Sequence, residues 1–451
     1  MGDIAKYFLP TLAVVAATIW GFILIRAWMP AAKARGGLFH LEALLIIAGP
    51  AVILANFLAL RKDAVGSLSS TAGIGLAAMG AGLSLMAFML ALRSPRRKVG
   101  WIVFAVSAYY AALILSCFVG VEFAFPPVYW ITPMAVLAFV IQSGYTTQWL
   151  LRTALLCVRV VVLLSFAAIF IQPELSFNTE EARTFFGISR LAGIVGHPNG
   201  LAAVAAVGLL LEIRAGRRLM WKLLFVAALL LAQSSTGYAV AVGGIAILLL
   251  HKRPAFRWLL WAGAISFGVG MMLFPNQTGS VVATVIPENA ATFTGRTRVW
   301  AAAMQGFYQN PVFGYGPELL GEQFRAYYIP GANFATHAHN QFIQTLAGQG
   351  VVGAVSLGLL IIVLLAYAFK TRNTTDGLGL ALVAFVLLRC ASETPLKPSG
   401  IALGTFIIVL VVGLLASAEE HPKEPGELLG EKPRPAGSER TLALANNQPR
   451  A

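Results

Sequence analysis

The sequence predicts an all-α, polytopic membrane protein with about 12–13 transmembrane helices, and three observations carry that prediction. The first is composition: of 451 residues, 58% are hydrophobic and only 12% charged, with mean hydropathy +0.76. The second is patterning. Apolar runs of about 20 residues, long enough to cross a hydrocarbon core as helices, recur from end to end. They are too long and too uniformly apolar for alternating barrel strands, and in lipid the helix satisfies its own backbone. The third is the placement of charge. A net charge of +14 would suit nucleic acid, but Lys and Arg fall in short clusters between apolar runs. That is the positive-inside pattern, so the expected surroundings are membrane lipid and no nucleic acid.

Taken in order, the expected spans run roughly over 7–28, 40–60, 70–92, 100–120, 127–143, 149–171, 190–212, 219–233, 236–250, 257–274, 342–369, 376–392 and 400–417. The first apolar run is too long for a signal-peptide core and reads as an uncleaved helix. The groups Arg93/Arg96/Arg97/Lys98, Arg214/Arg217/Arg218, Lys252/Arg253/Arg257 and Lys370/Arg372 should face the cytoplasm. The loops around Glu122, 172–189, 276–341 and 393–399 then face the opposite side. Basic residues at both ends of 219–250 require two short helices turning at 233–237. Upstream, Arg61 and Lys62 pull against Arg26, Lys33 and Arg35, so twelve and thirteen spans both remain open. Cys117, Cys157 and Cys390 lie in or at the ends of apolar runs without metal-ligand spacing, and read as packing residues. Arg159, with Arg152 on the same helical face, reads as an interior or snorkelling residue.

This divides the chain into a transmembrane helical domain, 1–418, and a disordered cytoplasmic tail, 419–451, rich in Pro, Glu and Lys. The connection 276–341 is far longer than any other. Connections of that length are functional or disordered, and this one has Trp300, Phe307, Tyr308, Phe313, Tyr315, Phe324, Tyr327 and Tyr328 to bury, so it should form an ordered, partly helical cap.

Four features of the outer face could carry chemistry. His337, His339 and Asn340 sit where the long loop meets an apolar, Gly-rich helix. An imidazole there suits proton transfer, although a helix-start histidine is commonly structural. A metal pair is a weaker reading without a clear carboxylate partner. Arg190, at the outer end of a span that continues through His197, Pro198 and Asn199, has the fixed fork that grips phosphate; the plain alternative is lipid-headgroup contact. Arg296 and Arg298, flanked by Thr294 and Thr297, suit an anionic oxygen cluster or are a solvated charge pair. The hydroxyls of Ser234, Ser235 and Thr236 either line the site or cap short helices. There is no P-loop, no Gly-rich nucleotide fingerprint and no HExxH. An enzyme working outside the cytoplasm finds no ATP, so its substrate must arrive activated, as a lipid-diphosphate-linked sugar does.

At these residues the sequence resembles the O-antigen ligase and polymerase superfamily of bacterial envelope glycosyltransferases. His339-Asn340, nine residues, then Gly350 to Gly353 matches the H-[NSQ]-x9-G-x-x-[GTY] motif of the ligases. Arg190, Gly193 and Pro198-Asn199, the segment Gly295-Arg296 to Trp300, and Pro311 with Gly314 and Gly316 are similar too. The likeness covers about 190–416. It implies a GT-C-like, multi-span O-antigen ligase in the bacterial inner membrane with a periplasmic active site and no cofactor or metal. Such an enzyme moves a polysaccharide from undecaprenyl diphosphate to a sugar of the lipid A core, with inversion, in lipopolysaccharide biosynthesis. By this likeness His339 is the general base and Arg190 and Arg296 bind the donor diphosphate, with Arg298, His337 and Asn340 secondary. An O-antigen polymerase or a protein O-oligosaccharyltransferase would use the same donor. A lipid or glycan transporter would favour internal repeats and mid-membrane charges, and no repeat is evident.

Overall fold

The structure is a computed structural model that describes residues 84–85, 87–89, 91–92, 100–124, 126, 128–142, 145–171, 173–178, 189–214, 218–253, 255, 290–331, 335–398 and 403–420. The expected spans 7–28, 40–60 and 257–274, most of 70–92, and the tail beyond Glu420 lie outside these residues.

Where it is described, the chain is a bundle of apolar helices. In order they are α1 (Trp101–Val119), α2 (Val128–Ile141), α3 (Thr147–Ile171), the short α4 (Pro173–Ser176), α5 (Pro198–Arg214), α6 (Leu219–Ala232) and α7 (Ser235–Leu250). After them come α8 (Ala290–Gln309), α9 (Glu322–Tyr328), α10 (Gln341–Lys370), α11 (Leu378–Ser392) and α12 (Leu403–Glu420). α1, α3 and α10 are each long and apolar enough to cross a membrane. With the shorter apolar helices they make a multi-pass membrane protein. One continuous core links α1–α3, α5–α7 and α10–α12, and Cys117, Cys157 and Cys390 are buried within these helices.

Of the expected spans that fall within the described residues, most coincide with helices to within a few residues, and one does not. The run 190–212 is not helical from its start. Arg190 and Leu191 form a short antiparallel bridge, β2, with Phe177–Asn178, β1, and a 3₁₀ turn over Gly193–Val195 follows before α5 begins at Pro198. Gly193 explains the break: its φ is +56°, and a Cβ there would lie 2.3 Å from the Cβ of Ser165 on α3. Only glycine permits both that backbone and that approach. Pro198 then takes the first helical position, where its missing N–H costs nothing.

The turn between α6 and α7 falls where the charge pattern required it. Gln233 adopts φ +47°, and Ser234 Oγ caps α7 by accepting from Gly237 N at 3.2 Å. Arg159 pairs with the fully buried Glu212, its Nε 2.7 Å from Oε1, and lies over the Trp221 ring. It is therefore an interior residue rather than a snorkelling one.

The described part of the long connection folds as a cap built on α8 and α9, with its own small core of Val299, Trp300, Tyr315, Leu319, Phe324 and Ile329 against Ile343 and Ala347 of α10. Arg296 and Arg298 thus stand on a helix rather than on a loop. Tyr308 and Tyr327 stay exposed.

The cap is locked into α10. Gly350 has φ +66° and ψ −163°, which breaks the helix. The break frees backbone groups, and the 311–316 turn satisfies them. Val351 N and Val352 N donate to the carbonyls of Pro311 and Val312 at 2.8 and 3.2 Å. The carbonyls of Ala347 and Gly348 accept from Tyr315 N and Gly316 N at 2.8 and 2.9 Å. Unpaired backbone groups inside a membrane protein are costly, and here one turn supplies donors and acceptors together. The same turn reaches α1: Val121 N donates to Tyr315 O at 3.0 Å, and Asn310 Nδ2 to Val119 O at 2.9 Å.

The two ends of the bundle differ in chemistry. At one end Arg214, His251 and Lys252 gather around Asp376 in the turn between α10 and α11, with His251 Nε2 and Lys252 Nζ 3.3 and 3.4 Å from Oδ1. Arg214 and Lys252 were expected on one face, and they share one end. The other end holds the residues expected to do chemistry.

Candidate active site

The segment 335–340 enters this end on a backbone pinned at its middle residue. Between the two histidines, Ala338 N donates to Gln344 Oε1 at 2.9 Å, and Ala338 O accepts from Trp300 Nε1 at 2.7 Å. His339 has φ +49°, a left-handed conformation that histidine tolerates better than most residues. Asn340 is fully buried and caps α10, its Oδ1 accepting from Phe342 N and Ile343 N at 2.9 and 3.1 Å. Its role is therefore to start the helix.

The two imidazoles lie against each other, ring centroids 3.9 Å apart, and both face Glu393. His339 Nδ1 is 3.3 Å and His337 Nε2 3.7 Å from Glu393 Oε2. Glu393 follows the last turn of α11, only 9% exposed. Burial alone would raise its pKa, but hydrogen bonds from His337 and His339 and the nearby charge of Arg389 outweigh it and hold the carboxyl well below its ordinary value. Burial also lowers the pKa of His337, more than the Glu393 bond raises it. Gln341 fixes the loop after α11, its Oε1 accepting from Leu396 N at 2.9 Å.

From Glu393 the network runs on to the predicted arginines. Asn199 Nδ2 donates to Glu393 Oε1 at 3.0 Å. Asn199 Oδ1 accepts from Arg190 at 3.0 Å and from Ser234 Oγ at 2.9 Å. Arg190, 6% exposed, also donates from Nε to Ala232 O at 3.2 Å. Arg389 donates to the backbone carbonyl of Asn199 at 3.1 Å. Arg296 reaches the same place from the cap, NH1 lying 3.3 Å from Ser392 O, next to Glu393.

The structure therefore joins Arg190, Arg296, His337 and His339, which are far apart in sequence. Ser234 does both things expected of its turn. Arg298 is exposed: two positions along a helix is about 200° of rotation, so Arg296 and Arg298 cannot face the same site. His197 is exposed too, its Nδ1 accepting from Asn199 N at 3.2 Å. Sequence reasoning missed Glu393 and Arg389 altogether and gave Asn199 no role. The available signal was Arg389 with Glu393 one helical turn later, at the end of an apolar run, where charge is costly and commonly functional.

Chemically, the arrangement is an imidazole held by a carboxylate beside two guanidiniums. His337, His339 and Glu393 also offer donor atoms within 4.8 Å of one another, a set able to hold a metal ion.

Comparison with known proteins bears on this geometry. Residues 220–358 match the family model described as O-antigen ligase, a stretch that includes Arg296, His337, His339 and the Gly350 break. Over 288 residues the chain is 24% identical to the exopolysaccharide production protein ExoQ of Rhizobium meliloti (strain 1021), covering 55% of this chain and 64% of that protein. The likeness thus spans less than two thirds of that relative's length. Together the two findings support the resemblance to the O-antigen ligase superfamily that the His339 motif carries.

Proposed function

We propose that the protein is a glycosyltransferase of the O-antigen ligase type, transferring a glycan from undecaprenyl diphosphate to a sugar of the lipid A core at the periplasmic face of the inner membrane. The observation that carries this reading is the unbroken chain of polar contacts from Arg190 through Asn199 and Glu393 to His339. Glu393 stays ionised where an imidazole is neutral, so it accepts the Nδ1 proton of His339 and leaves Nε2 with its lone pair. Nε2 takes the proton of the acceptor hydroxyl as that oxygen bonds to the anomeric carbon. The bond from that carbon to the diphosphate oxygen breaks, and undecaprenyl diphosphate leaves. Attack opposite the leaving group inverts the centre. Arg190 and Arg296 stabilise the charge that develops on the diphosphate.

In this reading no metal takes part. Both carboxylate oxygens of Glu393 already face protein donors, which supports a proton-sharing role over a ligand role. The three-donor set keeps a metal reading as the rival. Transfer is expected to persist in excess chelator; loss of activity restored by one divalent ion would overturn the metal-free mechanism.

The deciding experiment offers purified protein in detergent an undecaprenyl-diphosphate glycan, with lipid A–core or without it. Glycan appearing on lipid A–core is the expected result. Lengthened lipid-linked glycan without core would make the protein a polymerase. That second reading is favoured by the relative named for exopolysaccharide production, and it uses the same site with a different acceptor.

Glu393→Gln removes the charge that fixes the His339 tautomer and leaves the shape. Its rate should fall by on the order of 10²–10⁴-fold, the usual contribution of general acid–base catalysis, while the KM for donor changes little. Initial rates over a range of donor concentrations check this, and an unchanged kcat would remove Glu393 from the mechanism.

A further inference from the structure

A second cationic group lies beside the histidine segment. Lys397, in the loop that also carries Glu393, donates from Nζ to Thr336 O at 2.8 Å, directly before His337. The charge of Arg325 on α9 reaches it. Burial and then the Arg325 charge push the Lys397 ammonium down to about 8, against the opposing pull of Glu318. Lys397 in turn disfavours protonation of His337. Arg325 NH1 is taken by Leu320 O at 2.6 Å, but its Nε is buried without a partner among the described residues. Among those residues neither cation forms a salt bridge.

Two like charges within electrostatic reach of one another, half-buried and neutralised by no salt bridge among the described residues, are a repulsive arrangement that an anion would relieve. The position says which anion. Arg190 and Arg296 join the contact network on one side, through Asn199 and Ser392, whereas Lys397 joins it on another, through Thr336 next to His337. The donor diphosphate is already matched on the first side. An anion on the second side belongs to the molecule that presents its hydroxyl to His339.

We propose that Lys397 and Arg325 form an anion subsite for the acceptor saccharide, gripping a phosphate or carboxylate substituent so that a neighbouring hydroxyl meets His339. This rests on the glycosyl-transfer reading. The subsite selects charged acceptors over neutral ones, which a diphosphate clamp alone does not do.

The test begins with binding, which needs no turnover. Purified protein in detergent is titrated with three soluble probes: a glucuronate-bearing disaccharide, a 6-phosphorylated disaccharide and their neutral glucose counterpart. The wild type should prefer at least one anionic probe by about tenfold, and the two anionic arms distinguish carboxylate from phosphate. Lys397→Gln and Arg325→Gln should each shrink that preference to about twofold, whereas Lys397→Arg, which keeps the charge, should retain it. No preference in the wild type, or an unaltered one in both glutamine variants, overturns the subsite. Transfer assays separate the two readings. Transfer that ignores acceptor charge removes the subsite and leaves the transferase. Anion preference in a protein that transfers to no acceptor removes the transferase and with it the acceptor assignment.

Discussion

Replacing His339 with alanine is expected to lower glycan transfer by about 10²–10⁴-fold, the usual contribution of a positioned general base. The side chain is 25% exposed and packs mainly on His337 and Glu393, so its loss opens no large cavity. The backbone is the complication. At φ +49° alanine pays a steric penalty that asparagine largely avoids. His339→Asn therefore keeps the left-handed turn while removing the base, and should be as inactive as His339→Ala. Membrane levels and a monodisperse gel-filtration profile would separate lost chemistry from lost folding. Wild-type turnover by either variant would assign proton removal elsewhere, with His337 the next imidazole in reach.

The contrast between what the sequence disclosed and what it withheld has a physical basis. Spans such as Trp101–Val119 and Gln341–Lys370 were legible because lipid imposes one requirement, a long apolar helix, that composition alone expresses. His339 drew notice because a polar group beside hydrocarbon is expensive and therefore conspicuous, and Arg296 because two arginines among small hydroxyl residues suit an anion. Glu393 did not, although it meets the first criterion, because its partners Asn199 and the His337/His339 pair come from two distant segments and no spacing announces them. By composition alone Arg298 and Arg296 looked alike, and only the family resemblance ranked Arg298 second; on α8 the helical rotation separates them. The late start of α5 was hidden for a related reason. The run from Arg190 is apolar enough to be helical, and only the approach of Gly193 to Ser165, a tertiary contact, breaks it.

Gly350→Ala is expected to be among the most damaging single substitutions in the described chain. The residue has φ +66° and ψ −163°, a region open essentially to glycine alone. A Cβ there would lie 2.2 Å from Val312 O and 2.5 Å from Phe313 N. Both are backbone atoms, so no side-chain rotation relieves the clash. Gly314 makes the reciprocal approach, its Cβ position lying 2.4 Å from Gln349 N. Strain and lost backbone bonds together should cost on the order of 3 kcal/mol or more, read as a lower melting temperature in detergent and less protein in the membrane. Gly358→Ala is the matched control: the same helix, with nothing within 4 Å of its Cβ position, so it should be neutral or raise stability by about 0.5–1 kcal/mol. Equal stability of the two variants would mean that the 311–316 turn does not hold the break open. The interlock also ties two halves of the proposed site together. Arg296 sits on α8, which leads through Asn310 into that turn, and His339 sits just before α10, which receives it. Any Gly350→Ala protein that does reach the membrane should therefore still transfer poorly, because the guanidinium and the imidazole no longer share a fixed register.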